Sequence, residues 1–301
     1  MADLSPWLVS LLRCPSCGQP LVQGADQLRC ASGHEFPVVG GVPVLLPAED
    51  APEVASQHLH QREFYDRVFE GQGAYRIELW QRAYVRRLRH LWEGTAEPFL
   101  DVGAGDAYTV IEAGRDGVHA VGCDLSLEGM RSGRALAEAQ GVAESCAFVV
   151  CLAEKLPFRD SVFASAASIH VLEHLTDDRG ALGELARVTR PAARVFIGAP
   201  NSFDHMPALL RPVYRWHDRR IGHLRQYSAA DLEAKADAAG FRKVRLAFSA
   251  HWVKVWQLAM HLIASRLHLH DDRLWWWLEG IDERAGAREN GLHVNLFLER
   301  R

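Results

Sequence analysis

The stretch Phe99-Leu100-Asp101-Val102-Gly103-Ala104-Gly105-Asp106-Ala107 constrains this chain more than any other. Phe99, Leu100 and Val102 spell a short buried strand. Gly103 and Gly105 then permit a tight turn and a close approach of backbone to a ligand, because neither carries a Cβ. A helix is expected from Tyr108 to Arg115. Strand, glycine turn and helix together hold a nucleotide-like molecule at the carboxyl edge of a parallel sheet. The same glycines also suit an ordinary tight turn, so the neighbouring segments decide between the two.

The next expected strand, Val118 to Cys123, ends in Asp124. This carboxylate lies about twenty residues past the glycine turn, where an acid closing the second strand meets ribose hydroxyls. The alternative is a helix N-cap, which Asp124 or Ser126 could supply. Two further strands are expected at Phe148–Val150 and Val162–Ile169. They lead into Ala153-Glu154-Lys155-Leu156-Pro157-Phe158 and Val171-Leu172-Glu173-His174-Leu175. A fifth is expected at Arg194-Val195-Phe196-Ile197-Gly198-Ala199-Pro200.

With these motifs in this order (D-x-G-x-G, A-E-x-L-P-F, L-E-H-L), the segment from about Glu97 to Phe248 resembles the class I S-adenosylmethionine (SAM) dependent methyltransferases of the type 11 group. The resemblance implies an α/β fold, a doubly wound, Rossmann-like sheet of seven strands, and an enzyme using SAM. It also implies residue roles. Gly103, Ala104 and Gly105 would approach the methionine part of SAM, and Asp101 its amino group. Asp124 would hold the ribose, Leu125 would touch the adenine, and Ala153 with Glu154 would border the adenine edge. His170 would lie beneath the methyl donor. Three positions depart from the family pattern: Ala107 replaces a third glycine, Leu152 an adenine-binding Asp, and Ala192-Ala193 a glycine pair.

Upstream, Cys14, Cys17, Cys30 and His34 form a C-x2-C, C-x3-H pattern. Three thiolates and an imidazole can close a tetrahedron around Zn2+ and leave no open position, which is a structural role. A disulfide reading leaves one Cys over and needs an oxidising compartment. The run Glu35 to Pro47 resembles the Trm112-like zinc ribbon, with Phe36 for a tyrosine and Gly40 for an aspartate. The Cys-Cys-Cys-His spacing also resembles the zinc domain of bacterial methyltransferases acting on a guanine of ribosomal RNA. Cys123, Cys146 and Cys151 read as small buried residues.

The expected organisation is a zinc ribbon over 1–50, a helical linker or lid over 51–95, and a methyltransferase domain over 96–301 with a helical insertion at 250–291. In the linker, Trp80, Tyr84, Leu88, Leu91 and Trp92 share one helical face. Arg82, Arg86, Arg87 and Arg89 lie mostly off it, as a solvated basic side or a phosphate contact. Tyr65 and Tyr75 are candidates to line the SAM pocket. After the fifth strand, Gly222-His223-Leu224-Arg225-Gln226-Tyr227-Ser228 resembles the acceptor-side segment of small-molecule methyltransferases. His205, Tyr214, His223, Arg225 and Tyr227 are therefore candidate acceptor-binding residues. His223 could serve as a general base or only order the loop; His170 is the second catalytic candidate. Ser228 reads as the N-cap of a helix from Ala229 to Ala239. The insertion, with Trp252, Trp256 and Trp275-Trp276-Trp277, could pack in the core, wall an apolar site or form a homodimer face.

The formal charge of the 301 residues is −4, with no strongly basic field of the kind that drives nucleic-acid binding. No apolar run reaches the roughly 20 residues of a membrane span. The start of the chain lacks signal-peptide features, so a cytoplasmic protein is expected. The function expected is methyl transfer to a small or medium-sized metabolite. RNA methylation through the ribbon is the alternative, and a non-catalytic SAM-fold binding protein the third reading.

Overall fold

The structure is a computed structural model and describes residues 4–47, 59, 61–67, 79–94, 97–205, 211–251 and 272–301. A four-stranded antiparallel sheet opens the chain: β1 (Leu21–Gln23), β2 (Gln27–Cys30), β3 (Glu35–Val39) and β4 (Val42–Pro43), after a short helix α1 (Pro6–Leu11). Two helical segments follow, α2 (61–67) and α3 (Leu79–Leu88). The main sheet has seven strands in the order β10-β11-β9-β8-β5-β6-β7. They are β5 (Phe99–Val102), β6 (Ala120–Asp124), β7 (Cys146–Val150), β8 (Phe163–Ile169), β9 (Thr189–Pro200), β10 (Phe241–Ser249) and β11 (His293–Arg300). β11 runs antiparallel to both neighbours, and the pairs from β9 to β7 are parallel. The doubly wound seven-stranded sheet expected from the motifs is therefore present.

The parallel strands carry apolar residues on both faces, as helix-covered sheets require. All four residues of β5 and all five of β7 are buried. Helices α4 (Tyr108–Arg115), α5 (Leu127–Ala139), α6 (Asp178–Val188) and α8 (Ala229–Ala238) connect and cover them, and α7 (Arg211–Arg220) lies between β9 and α8 in the chain. Their starts follow local chemistry: Ser126, Asp177 and Ser228 each accept a backbone N–H from the first turn of α5, α6 and α8. Ala107 and Ala192 adopt φ of +61° and +62°. These left-handed values explain why glycine is usual at both positions; the substitutions are small for small in volume but not in backbone freedom.

The zinc ribbon expected over 1–50 is not packed as a separate bead. Leu4, Leu8, Leu12, Leu28, Phe36 and Leu45 belong to the same buried cluster as Leu156, Phe158 and the core of the main sheet. Arg13 N–H donates to Pro157 O (2.9 Å), and Arg159 N–H to Leu11 O (2.8 Å). Val44 bridges Val150 in parallel fashion, and Leu45 N–H donates to Val150 O (2.8 Å). The ribbon thereby covers the edge of β7, which would otherwise present unpaired backbone groups.

The basic side of α3 stays partly exposed, but three of the arginines there are paired. Arg86 pairs with Glu283 (2.6 Å) and Arg87 with Glu279 (3.4 Å) on α9 (Asp272–Arg284), while Arg89 pairs with Asp116 (3.4 Å). The opposite face buries Tyr84, Leu88, Leu91 and Trp92 as the spacing required. α9 is the described part of the insertion; Trp252 and Trp256 lie outside the described residues. Among the described residues no helix is long and apolar enough to cross a membrane.

The shared core gives a direct test. Leu12 is fully buried between the ribbon and Phe158. Leu12→Ala should lower stability by about 2–5 kcal/mol, as large-to-small core changes do. Denaturant unfolding followed by ribbon and main-sheet probes should still give one coincident transition.

Candidate active site

The strand order reverses at β5, with β6 and β7 on one side and β8 on the other. Crevices outside the carboxyl ends of strands form at such points. Here a cavity of about 420 Å³ opens, lined by the turn after β5, the ends of β6 and β7, and the segment after β8. Its wall includes Asp101, Gly103, Ala104, Gly105, Asp124, Leu125, Ala153, Glu154 and His170. Leu152 is on the wall too, so no carboxylate stands at that position.

The turn owes its shape to two glycines. Gly103 has φ of +76°, and a Cβ there would collide with Val171. Gly105, at φ +52°, donates its N–H to Asp124 Oδ2 (3.0 Å). The other Asp124 oxygen accepts the N–H of Ser126 (2.9 Å). Asp124 thus fixes the β5 turn and the start of α5 while facing the cavity, and its spare lone pairs remain for ligand donors. Of the two alternatives weighed for this position, the helix cap is supplied by Ser126.

Asp101, Asp106 and Asp124 converge on this space, whose wall also carries Glu154. Asp101 is 3% exposed and accepts the Thr109 hydroxyl at Oδ2, whereas among the described residues its Oδ1 has no hydrogen-bond partner. Burial pushes its pKa up to about 7, against the Thr109 bond and with help from Asp124 and Asp106. Burial also raises Asp106 to about 6, opposed by the Gln81 amide that donates to it, and raises Asp124. A cavity that gathers three desolvated acids is electrostatically matched to a cation.

At the other end are imidazoles and phenols. His170, at φ +56°, has Nε2 3.1 Å from the Tyr84 hydroxyl, which also lies 3.2 Å from His293 Nδ1. Its Nδ1 is 3.3 Å from Glu173 Oε1. Tyr65 lines the cavity as expected, and its hydroxyl meets His174 Nε2 at 3.1 Å. Burial holds His174 below the usual imidazole pKa, in its neutral form. His223 sits behind His174, with ring centroids 4.8 Å apart and Nδ1 3.2 Å from Asp218 Oδ1.

Two acceptor-side expectations fail. Tyr227 is fully buried, and its hydroxyl donates to Asp178 Oδ2 (2.7 Å) and lies 3.0 Å from Leu172 O. Arg225 pairs with the same Asp178 (3.0 Å) and donates to Thr176 O (3.2 Å). Both side chains are spent anchoring the loop against α6. The side chains of His205 and Tyr214, and all of Tyr75, lie outside the described residues. Conversely, the sequence reading gave no role to Tyr84, Asp106, Glu173 or His293. Glu173 was visible in the L-E-H-L motif, whereas His293 comes to the site only because β11 inserts beside β9.

A second cluster gathers Cys14, Cys17, Cys30 and His34. His34 Nδ1 is 3.2 Å from Cys30 Sγ and 3.6 Å from Cys14 Sγ, and the Cys17 and Cys30 sulfurs are 3.6 Å apart. Ligands about 2.0–2.3 Å from one ion would stand about 3.3–3.8 Å apart at tetrahedral corners, so the four groups fit a zinc ion.

Comparison with known proteins agrees with this geometry. Residues 100–197 match the family model described as methyltransferase domain. A demethylmenaquinone methyltransferase of Mycolicibacterium paratuberculosis is 33% identical over 123 residues, covering 40% of this chain and 50% of that protein. The chain spans about a third to a half of the length of the curated relatives it matches. Among solved structures, geranyl diphosphate C-methyltransferase from Streptomyces coelicolor A3(2) superposes with a TM-score of 0.59 at 13% identity, covering 85% of this chain and all of that one. The cyclase SpnF does so at 0.54 and 19% identity, covering 84% and 97%. Likeness at this identity establishes fold alone. From Leu100 to Ile197, where sequence, sheet order and cavity coincide, the chain carries a methyltransferase domain.

Proposed function

We propose that this protein transfers a methyl group from SAM to a small or medium-sized metabolite. The observation that carries this reading is the convergence of Asp101, Asp106 and Asp124 in one cavity at the strand ends of a methyltransferase domain. Bound SAM would supply a methyl group already activated on a sulfonium. The chain's own part is then to bind, align and exclude water. Asp124 would take the ribose hydroxyls, and the partnerless Asp101 Oδ1 would face the ammonium group. Gly103 and Gly105 would let the backbone lie against the methionine portion. Leu125, Leu152 and Ala153 would enclose the adenine by apolar contact. His170, steadied by Tyr84 and Glu173, would border the methyl end and receive a proton from an acceptor hydroxyl or amine.

A metabolite is preferred to RNA as acceptor. The enclosed cavity suits a small ligand, the demethylmenaquinone enzyme acts on a small molecule by its name, and Arg86 and Arg87 are already paired with acids. SpnF, a cyclase on the same fold, marks why activity has to be measured rather than read from architecture. Cys14, Cys17, Cys30 and His34 would hold one structural Zn2+ that completes the small ribbon and braces the β7 edge.

Three measurements test these readings. In calorimetric titration, Asp124→Ala should weaken SAM binding by more than about tenfold, the order expected for losing a charge-assisted hydrogen-bond pair; unchanged affinity would remove Asp124 from the site. For a cationic ligand, affinity should rise by roughly tenfold between about pH 5.5 and 7.5, as Asp101 and Asp106 ionise. The sign for stability is opposite: the folded-state pKa of Asp101 lies above its reference value of 3.8, so ligand-free stability should fall as pH rises from about 4 to 7. Cys17→Ser should lower the zinc content by one equivalent per chain, with a lowered melting temperature for the whole domain.

A further inference from the structure

Outside the ribbon, one more cluster has the makings of a metal centre: Glu173, His174 and His223. One ligand atom from each lies within 4.8 Å of the other two. Glu173 and His174 sit on the single 3-10 turn Leu172–His174, and His223 is brought over from the loop before α8. The approach is built into the backbone, since Leu224 N–H donates to Glu173 O (2.8 Å) and His223 N–H to Asp218 O (3.0 Å).

The donor atoms are prepared and unspent. Glu173 is 0% exposed, a setting in which a carboxylate demands a cation. Among the described residues its ion-pair partners are histidines, His170 at 3.3 Å and His223 at 3.9 Å. Both contacts go to Oε1, and the buried Oε2 has no hydrogen-bond partner. On His174, the Tyr65 hydroxyl meets Nε2 while the buried Nδ1 has none. On His223, Asp218 Oδ1 lies 3.2 Å from Nδ1 without hydrogen-bond geometry, and Nε2 lies 3.9 Å from Glu173 Oε1. A carboxylate behind a histidine is the usual outer support of a metal-ligating imidazole.

We infer that Glu173, His174 and His223 bind a divalent first-row transition ion at the wall of the cavity. Two imidazoles and one carboxylate suit Zn2+, Fe2+ or Co2+ better than Mg2+, which takes oxygen ligands. Three protein ligands leave coordination positions open. Of the three ligands His174 lines the cavity, so a position reached past His174 would give onto the end where the acceptor would lie. An acceptor oxygen bound there would be held beside the methyl end and made more acidic. That last role rests on the methyl-transfer reading; the ion site itself rests on the donor set alone.

The test separates the two. Full-length protein with its ribbon zinc in place is titrated with Co2+. The wild type should take up one cobalt per chain, with visible ligand-field absorption and no thiolate-to-cobalt charge-transfer band, because no sulfur belongs to this site. Glu173→Gln and His223→Ala should each weaken cobalt uptake by more than about tenfold, and Asp218→Asn by roughly tenfold, as loss of outer-shell support does. Near-ultraviolet circular dichroism checks that each variant is folded, and a variant that unfolds is replaced by His174→Gln. Uptake of no cobalt, uptake with the charge-transfer signature of the ribbon, or equal uptake by folded variants would overturn the site. SAM titration of the same samples reports on the methyl-transfer reading independently.

Discussion

The turn between β5 and α4 is the constraint on which the rest of the structure depends. It exists because Gly103 passes under Val171 where no side chain fits, and because Asp124 reaches from the end of β6 to hold Gly105 N–H. With the Gly103 and Ala104 N–H groups donating to Cys123 O, that bond ties two parallel strands together beyond their last ladder pairing. It also places a carboxylate at the floor of the cavity. Val171, which the turn packs against, leads directly into the 3-10 turn that carries Glu173 and His174. The β5 turn and the Leu172–His174 turn, both at the cavity, are therefore set by one local packing arrangement.

The burial of charge around this turn is costly and has a use. Asp101 and Asp106 are held with pKa values near neutrality, because removal from water disfavours their anions. Such strain is retained where a ligand relieves it. A cation arriving in the cavity would find acids whose ionisation it stabilises, so binding and proton release are coupled. At the opposite end the balance is inverted: Glu173 is wholly buried amid histidines, with His174 driven neutral by desolvation. The cavity is acidic around the β5 turn and imidazole-rich along the segment after β8.

The N-terminal ribbon is part of this machinery through packing rather than through contact with the cavity. Leu45 and Val44 hydrogen-bond to and pair with Val150, one residue before Cys151 and Leu152 on the cavity wall. Ribbon residues also complete the core beneath Leu156 and Phe158. The N-terminal module thus braces the sheet edge that carries Cys151 and Leu152 to the cavity wall.

What the sequence determined by itself was everything encoded at short range. Glycines at 103 and 105, the acid at 124, the caps at 126 and 228 and the Cys-Cys-Cys-His spacing each act through backbone dihedrals, one-turn hydrogen bonds or ligand valence, so they can be read without knowing what lies across the fold. The strand and helix order from Phe99 to Phe248 was legible for the same reason. Tertiary structure alone decided which polar side chains reach the site. Tyr227 and Arg225 sit in a motif that suggests acceptor binding, yet both are drawn to Asp178, because a buried carboxylate on α6 captures the nearest donors. Arg86 and Arg87 look free on α3 but meet the acids of α9, nearly two hundred residues later in the chain. His293 and Tyr84 join His170 only when β11 inserts beside β9 and α3 folds over the sheet edge. Such pairings depend on which charges end up desolvated together, and that is fixed by the packing of distant elements, not by local spacing.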